Sequence, residues 1–138
     1  MRFEQIEHTA DVGLKAYGRS LGEMFESAAL GMFALMADLS KVEGRGEFRV
    51  ELGAPDKEKL LVDWLTELIY MHEVYGVILN GFEVRIGEGK DDFELKATVR
   101  GETVDPDRHS LKKVVKAVTY HMLEINEKDG YLKVLFDV

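Results

Sequence analysis

Along the chain, apolar residues recur with two periods. Val12, Leu14 and Ala16 alternate with Gly13, Lys15 and Tyr17, and the same alternation returns at Phe48, Val50 and Leu52 and again from Phe93 to Val99. A period of two places one face of an extended strand against a core and the other in water. Phe3 to Ile6 forms a shorter stretch of the same kind. Between them the period lengthens. Leu21, Met24, Phe25, Ala28, Met32, Leu35 and Met36 recur at helical spacing after "SLGE", in which Ser20 and Glu23 fit a capping box. The pattern predicts a helix from there to about Ala37. A second helix opens at Pro55 and Asp56 and carries Leu60, Leu61, Trp64, Leu65, Leu68, Ile69 and His72 on one stripe until Gly76 stops it.

Val77 to Leu79, then Phe82, Val84 and Ile86, read as a strand interrupted near Asn80-Gly81, joined to the Phe93 to Val99 strand by a hairpin loop at "GEGKDD". The segment "LKKVVKAVTYHMLEIN" fits both periods. Its β-branched and aromatic content favours a strand, on which Tyr120 shares a side with Lys116 and His121 faces the other way. "NEKDG" is then a turn, and Tyr131 to Val138 is the partner strand. The prediction is a single α+β domain over residues 1–138: a mostly antiparallel mixed sheet with two helices packed on one face.

Composition narrows the function. At 138 residues with 46% hydrophobic and 32% charged positions, the chain can bury a full core. Its net charge of −8 disfavours non-specific RNA or DNA binding, which draws on Lys and Arg displacing counterions. With no cysteine, disulfides, zinc–thiolate sites and thiol catalysis are excluded. There is no leader-like N-terminus and no apolar run near the ~18 residues a membrane span needs, so a cytoplasmic protein is expected. No phosphate-binding glycine loop, GxSxG nucleophile or HExxH zinc motif occurs.

The candidate chemistry sits at the two ends. "HTAD" places His8, Thr9 and Asp11 where the first strand gives way to the second. These residues can form a turn by bonding nearby amides, or they can offer oxygen to a hard cation. Asp137 precedes the carboxylate of Val138. If that tail is held in a sheet, two anions are fixed at one edge, and a divalent cation would relieve their repulsion. Lys116 suits either a solvent-facing strand position or a contact to an anion. His72 reads as a core-rim residue, His109 as a loop residue, and Met24, Met32 and Met36 as core packing.

Taken together, "EHTADVGLKAYG", "SLGEMFESAALGMF", "LVDWLTELIY", "VKAVTYH" and the ending "VLFDV" resemble the archease family across essentially all 138 residues. The resemblance implies an activator of the RtcB-type tRNA-splicing ligase, which joins RNA ends with GTP and a divalent metal. The activator promotes guanylylation of a ligase histidine and restores multiple turnover. The implied metal positions are Asp11, Asp137 and the carboxylate of Val138, with Ca2+ the expected ion and Mn2+ its alternative in the ligase complex. Lys116 is the implied activation residue and His8 supports the site without being a ligand. No catalytic residue, no stable nucleic-acid contact and no membrane are implied. The competing reading is a small metal-dependent phosphohydrolase acting on nucleotides or RNA ends through Asp11, Asp137 and Lys116. A general RNA chaperone fits poorly with the negative charge.

Overall fold

The protein is described by a computed structural model that covers residues 2–7 and 11–138. Its elements run β1 (Phe3–Glu7), β2 (Val12–Tyr17), α1 (Leu21–Met36), a short 3-10 turn (Leu39–Lys41), β3 (Gly46–Ala54), α2 (Lys57–Tyr75), β4 (Val77–Glu88), β5 (Phe93–Thr103), β6 (Ala117–Asn126) and β7 (Tyr131–Asp137). The α+β class and the two helices stand as expected, and every strand pairing is antiparallel. The strands form two sheets, ordered β1-β2-β7-β6 and β3-β5-β4. Each helix touches both sheets and does not lie on one face of a single sheet.

The composition of α1 explains this arrangement. Its buried residues include Met24, Phe25, Ala28, Ala29, Met32, Phe33, Leu35 and Met36, which wrap most of its circumference. A helix apolar nearly all round needs cover on more than one side. The first sheet meets α1 closely at Gly31, where a β-carbon would come within 2.8 Å of Leu14. On the other sheet, Glu26 of α1 accepts a hydrogen bond from the amide of Val84 at 2.9 Å. That bond occupies a donor on the edge strand β4, which would otherwise be open to pairing.

α2 is amphipathic, burying Leu60, Leu61, Trp64, Leu65, Leu68 and Ile69. Asp56 caps its start by accepting from the amide of Lys59 at 2.7 Å, and Gly76 ends it in the left-handed region at φ 64°. At α1 the Ser20 oxygen accepts from the amide of Glu23 at 3.1 Å, as the capping box predicts. The return bond differs: Glu23 accepts from the amide of Arg19, one residue earlier than expected. Trp64 is fully buried and donates to the carbonyl of Phe25 at 3.1 Å, tying the two helices together inside one continuous core.

Two strands depart from simple alternation. The interruption expected at Asn80-Gly81 is a register shift between Leu79 and Gly81 within one long β4. In β6 the departure is larger. Thr119 faces Leu135 and Glu124 faces Lys133, so Tyr120, His121, Met122 and Leu123 bulge out opposite a single β7 position. Met122 reaches φ 57° there. Tyr120, His121 and Met122 are all exposed, and the regular alternation behind the expected division of Tyr120 from His121 is interrupted there. The strand also begins at Ala117, and residues 111–116 form an arm in front of it with no regular secondary structure beyond an isolated bridge at Leu111.

Candidate functional site

Register brings the chain's two ends to one rim. Val12, the first residue of β2, faces Phe136 of β7, so Asp11 immediately precedes one end of this ladder and Asp137 immediately follows it on the other strand. On the other flank of β7, Asp137 faces Ala117 of β6, and its carbonyl accepts from the amide of Lys116 at 2.8 Å. Lys116 is thereby set beside the end of β7, level with Val138. Asp137 and Lys116 are exposed, Val138 is 38% exposed, and Asp11 is partly buried and engaged in interactions. His8 and Thr9 lie outside the described residues.

The tail is ordered because β7 is an interior strand. It is bonded to β2 on one side and β6 on the other. Leu132, Val134 and Phe136 point into the core at 0%, 1% and 0% exposure, and Leu135 is buried on the opposite face beside Gly13. A strand anchored on both edges and both faces cannot fray as an edge strand does. Asp137 and residue 138 are therefore presented at a set place and not on a loose tail.

Lys116 is delivered by the 111–116 arm. Leu111 bridges to Ala37, and the amides of Lys112 and Lys113 donate to the carbonyls of Met36 and Leu35 at 2.8 and 3.1 Å. These bonds satisfy carbonyls that the end of α1 leaves open. Val115 is 2% exposed and anchors the arm just before Lys116. Upstream, His109 is not the plain loop residue expected but is fully buried. Its Nδ1 accepts from the amide of Asp105 at 2.8 Å, which leaves the proton on Nε2, and Nε2 donates to Glu102 at 2.5 Å. The same Glu102 oxygen pairs with Arg108 at 2.8 Å. Arg108 and then His109 hold the Glu102 carboxyl at about 2, against an ordinary value of 4.5. The turn-forming "DPDRH" run marks a loop, but nothing local in it marks a buried histidine. His72 sits at the core rim as expected, its Nδ1 within 2.8 Å of the Val77 carbonyl.

The rim thus gathers two carboxylate residues, Asp11 just before β2 and Asp137 at the end of β7, with Lys116 bonded through its amide to the latter. Oxygen donors of this kind suit a hard cation, and the exposed rim leaves coordination positions open to water or a partner. Among the described residues no group of three or more His, Cys, Asp or Glu side chains converges on one point. The expected set contains two such side chains and a main-chain carboxylate. Among the described residues no helix is long and apolar enough to cross a membrane.

Comparison with known proteins bears on the whole chain. The model of the Archease protein family (MTH1598/TM1083) matches residues 3–138. A protein archease of Methanothermobacter thermautotrophicus is 44% identical over 95% of this chain and 93% of its own length. One from Sulfurisphaera tokodaii is 41% identical over 99% of this chain and 97% of its own. The solution structure of Methanobacterium thermoautotrophicum protein 1598 superposes with a TM-score of 0.84 at 42% identity, covering 99% of both chains.

Proposed function

The chain belongs to the archease family, and from that premise we propose that it activates an RtcB-type tRNA-splicing ligase, promoting GTP-dependent guanylylation of the ligase and its repeated turnover. The reading is supported by the register that sets Asp11, just before β2, and Asp137, at the end of β7, at the same end of their ladder, with Lys116 bonded to Asp137 from a third stretch of sequence.

Asp11, Asp137 and the carboxylate of Val138 would hold a divalent cation, Ca2+ in isolation and Mn2+ as the alternative in the complex. When bound, the ion would neutralise the rim and offer a Lewis-acid contact to phosphate oxygen. The protein's own residues do the rest. The β7 ladder holds Asp137 in place, so little ordering remains to be done on docking. The arm presents the Lys116 ammonium as a mobile point charge that can meet a nucleotide phosphate or a ligase carboxylate. Orienting a phosphate for in-line attack and neutralising its charge are the effects expected to speed guanylyl transfer.

The phosphohydrolase alternative has less support. Lys116, Asp137 and Val138 stand in solvent, whereas hydrolytic sites of that kind strengthen their electrostatics by excluding water. The exposed position suits contact with a second protein, in the cytoplasm where tRNA is processed. The test is a ligase assay with and without this protein, following guanylylation and multiple-turnover joining of RNA ends. Stimulation by the protein, with no turnover of GTP or RNA by the protein alone, is the expected result. GTP hydrolysis by the isolated protein, lost on substitution of Asp11, would favour the alternative.

A further inference from the structure

Large exposed apolar side chains are distributed unevenly. Among the described residues they are confined to α2, the 111–116 arm, β6 and Val138; β1 to β5 and α1 carry none. Val114 is 67% exposed and Leu111 48%, on the arm that ends at Lys116. Between that arm and the end of α2 runs a groove floored by Met36, Val104 and Val115, with Lys112 and Lys113 on the arm and Glu73 on α2. Apolar residues this exposed, grouped with a groove and framed by charge, mark a protein interface more often than a bare surface. The charge is the wrong sign for the rest of the molecule. A chain of net charge −8 places three lysines, 112, 113 and 116, within five consecutive residues here.

We propose that this groove is a docking site for the ligase, separate from the metal rim, and that it receives a segment of the ligase surface carrying a bulky apolar side chain flanked by carboxylates. The inference rests on the ligase reading above. Charge complementarity selects the occupant: the arm lysines call for acidic neighbours, while Leu111 and Val114 call for an apolar anchor that a nucleic-acid backbone does not offer. A second copy of the chain fits less well, because a two-fold contact centred on this arm would set its lysines against their own copies. Continuity gives the groove its purpose. Val115 immediately precedes Lys116, so a partner seated in the groove has the rim within reach, and the arm backbone is already bonded to α1 and β7 and does not need ordering.

The experiment measures binding of the full-length protein to the purified ligase by calorimetry without GTP, and in parallel its divalent-cation affinity, its melting temperature and its stimulation of ligase guanylylation when GTP is added. The variants are Val114→Asp, the pair Lys112→Glu with Lys113→Glu, Asp11→Ala, and Lys90→Glu as an exposed charge change in the β4–β5 loop. Val114→Asp and the lysine pair should each weaken ligase binding by about tenfold or more, with metal affinity and melting unchanged. Lys90→Glu should bind as wild type. Wild-type ligase affinity in Val114→Asp and in the lysine pair would overturn the docking site, while a simultaneous loss of activation in Asp11→Ala would leave the ligase reading standing. Absence of any ligase binding by the wild type would remove both. Should Val114→Asp abolish only self-association of the wild type, the groove belongs to a second copy and the proposal fails.

Discussion

Asp11 and Asp137 are separated by most of the sequence, yet they flank the same end of the β2–β7 ladder. If they act through a cation, Asp11→Ala should abolish most of the ligase stimulation and weaken Ca2+ binding by an order of magnitude or more. Its melting should shift little, since a partly exposed side chain at a strand end changes stability by only about 0.5 kcal/mol. Stimulation that survives loss of the metal would make the ion structural. Lys116→Ala should impair stimulation while leaving Ca2+ affinity intact, because the ammonium sits beside the anionic rim without being a ligand. An early-melting variant that still stimulates normally would instead assign the lysine to the scaffold. Glu102 makes a prediction in pH. Its folded value of about 2 lies below the ordinary 4.5, so its contribution is complete above about 4.5 and is lost as pH falls toward about 2. Glu102→Gln should therefore be less stable than wild type near neutrality, with the gap closing across that window in urea titrations. A gap that stays constant with pH would mean that the carboxylate's charge is not what stabilises the arm's base.

Between residues and the whole lie elements whose irregularities carry consequences. The β6 bulge holds Met122 at φ 57°, a region that disfavours residues with a β-carbon, and its side chain is 63% exposed, so little packing offsets the strain. Met122→Gly should accordingly be neutral or stabilise by up to about 1 kcal/mol, the reverse of glycine's usual effect within a strand. Destabilisation of more than about 1 kcal/mol in a denaturant titration would show that the exposed methionine contributes packing. The arm before β6 is the other irregular element. The amides of Lys112 and Lys113 pair with the end of α1, and only that of Lys116 reaches β7, at Asp137, so the segment reads as strand in sequence but builds no ladder before Ala117.

At the scale of the molecule, stability depends on helices held against two sheets. Trp64, the chain's single tryptophan, is fully buried, bonded to α1 through Phe25 and packed edge-on to Phe82 of β4. Trp64→Ala should cost about 3–5 kcal/mol, seen as a large drop in the midpoint of chemical unfolding followed by circular dichroism. A cost under about 1 kcal/mol would mean that the two sheets hold together without this contact.

Periodicity alone determined the two helices, their caps, most strands and the Asn126 to Gly130 turn, because these follow from contacts within a few residues. "YLKVLFDV" also kept strand character to its end, since the alternating apolar positions Leu132, Val134 and Phe136 are legible without knowing their partners. Two sheets in place of one could not be read, because sheet membership depends on pairings between strands far apart in sequence. The β6 bulge was hidden for a related reason: "TYHML" is consistent with regular alternation, and only the β7 register shows four residues facing one. Burial of His109 was invisible for want of any local signal, its neighbours Glu102 and Arg108 being brought around it by the turn and by β5. The rim itself divides the same way. Resemblance named Asp11, Asp137 and Lys116, but setting the start of β2, the end of β7 and the start of β6 at one edge required β7 to enter the sheet between β2 and β6, a long-range choice made by the burial of Leu132, Val134 and Phe136 in the common core.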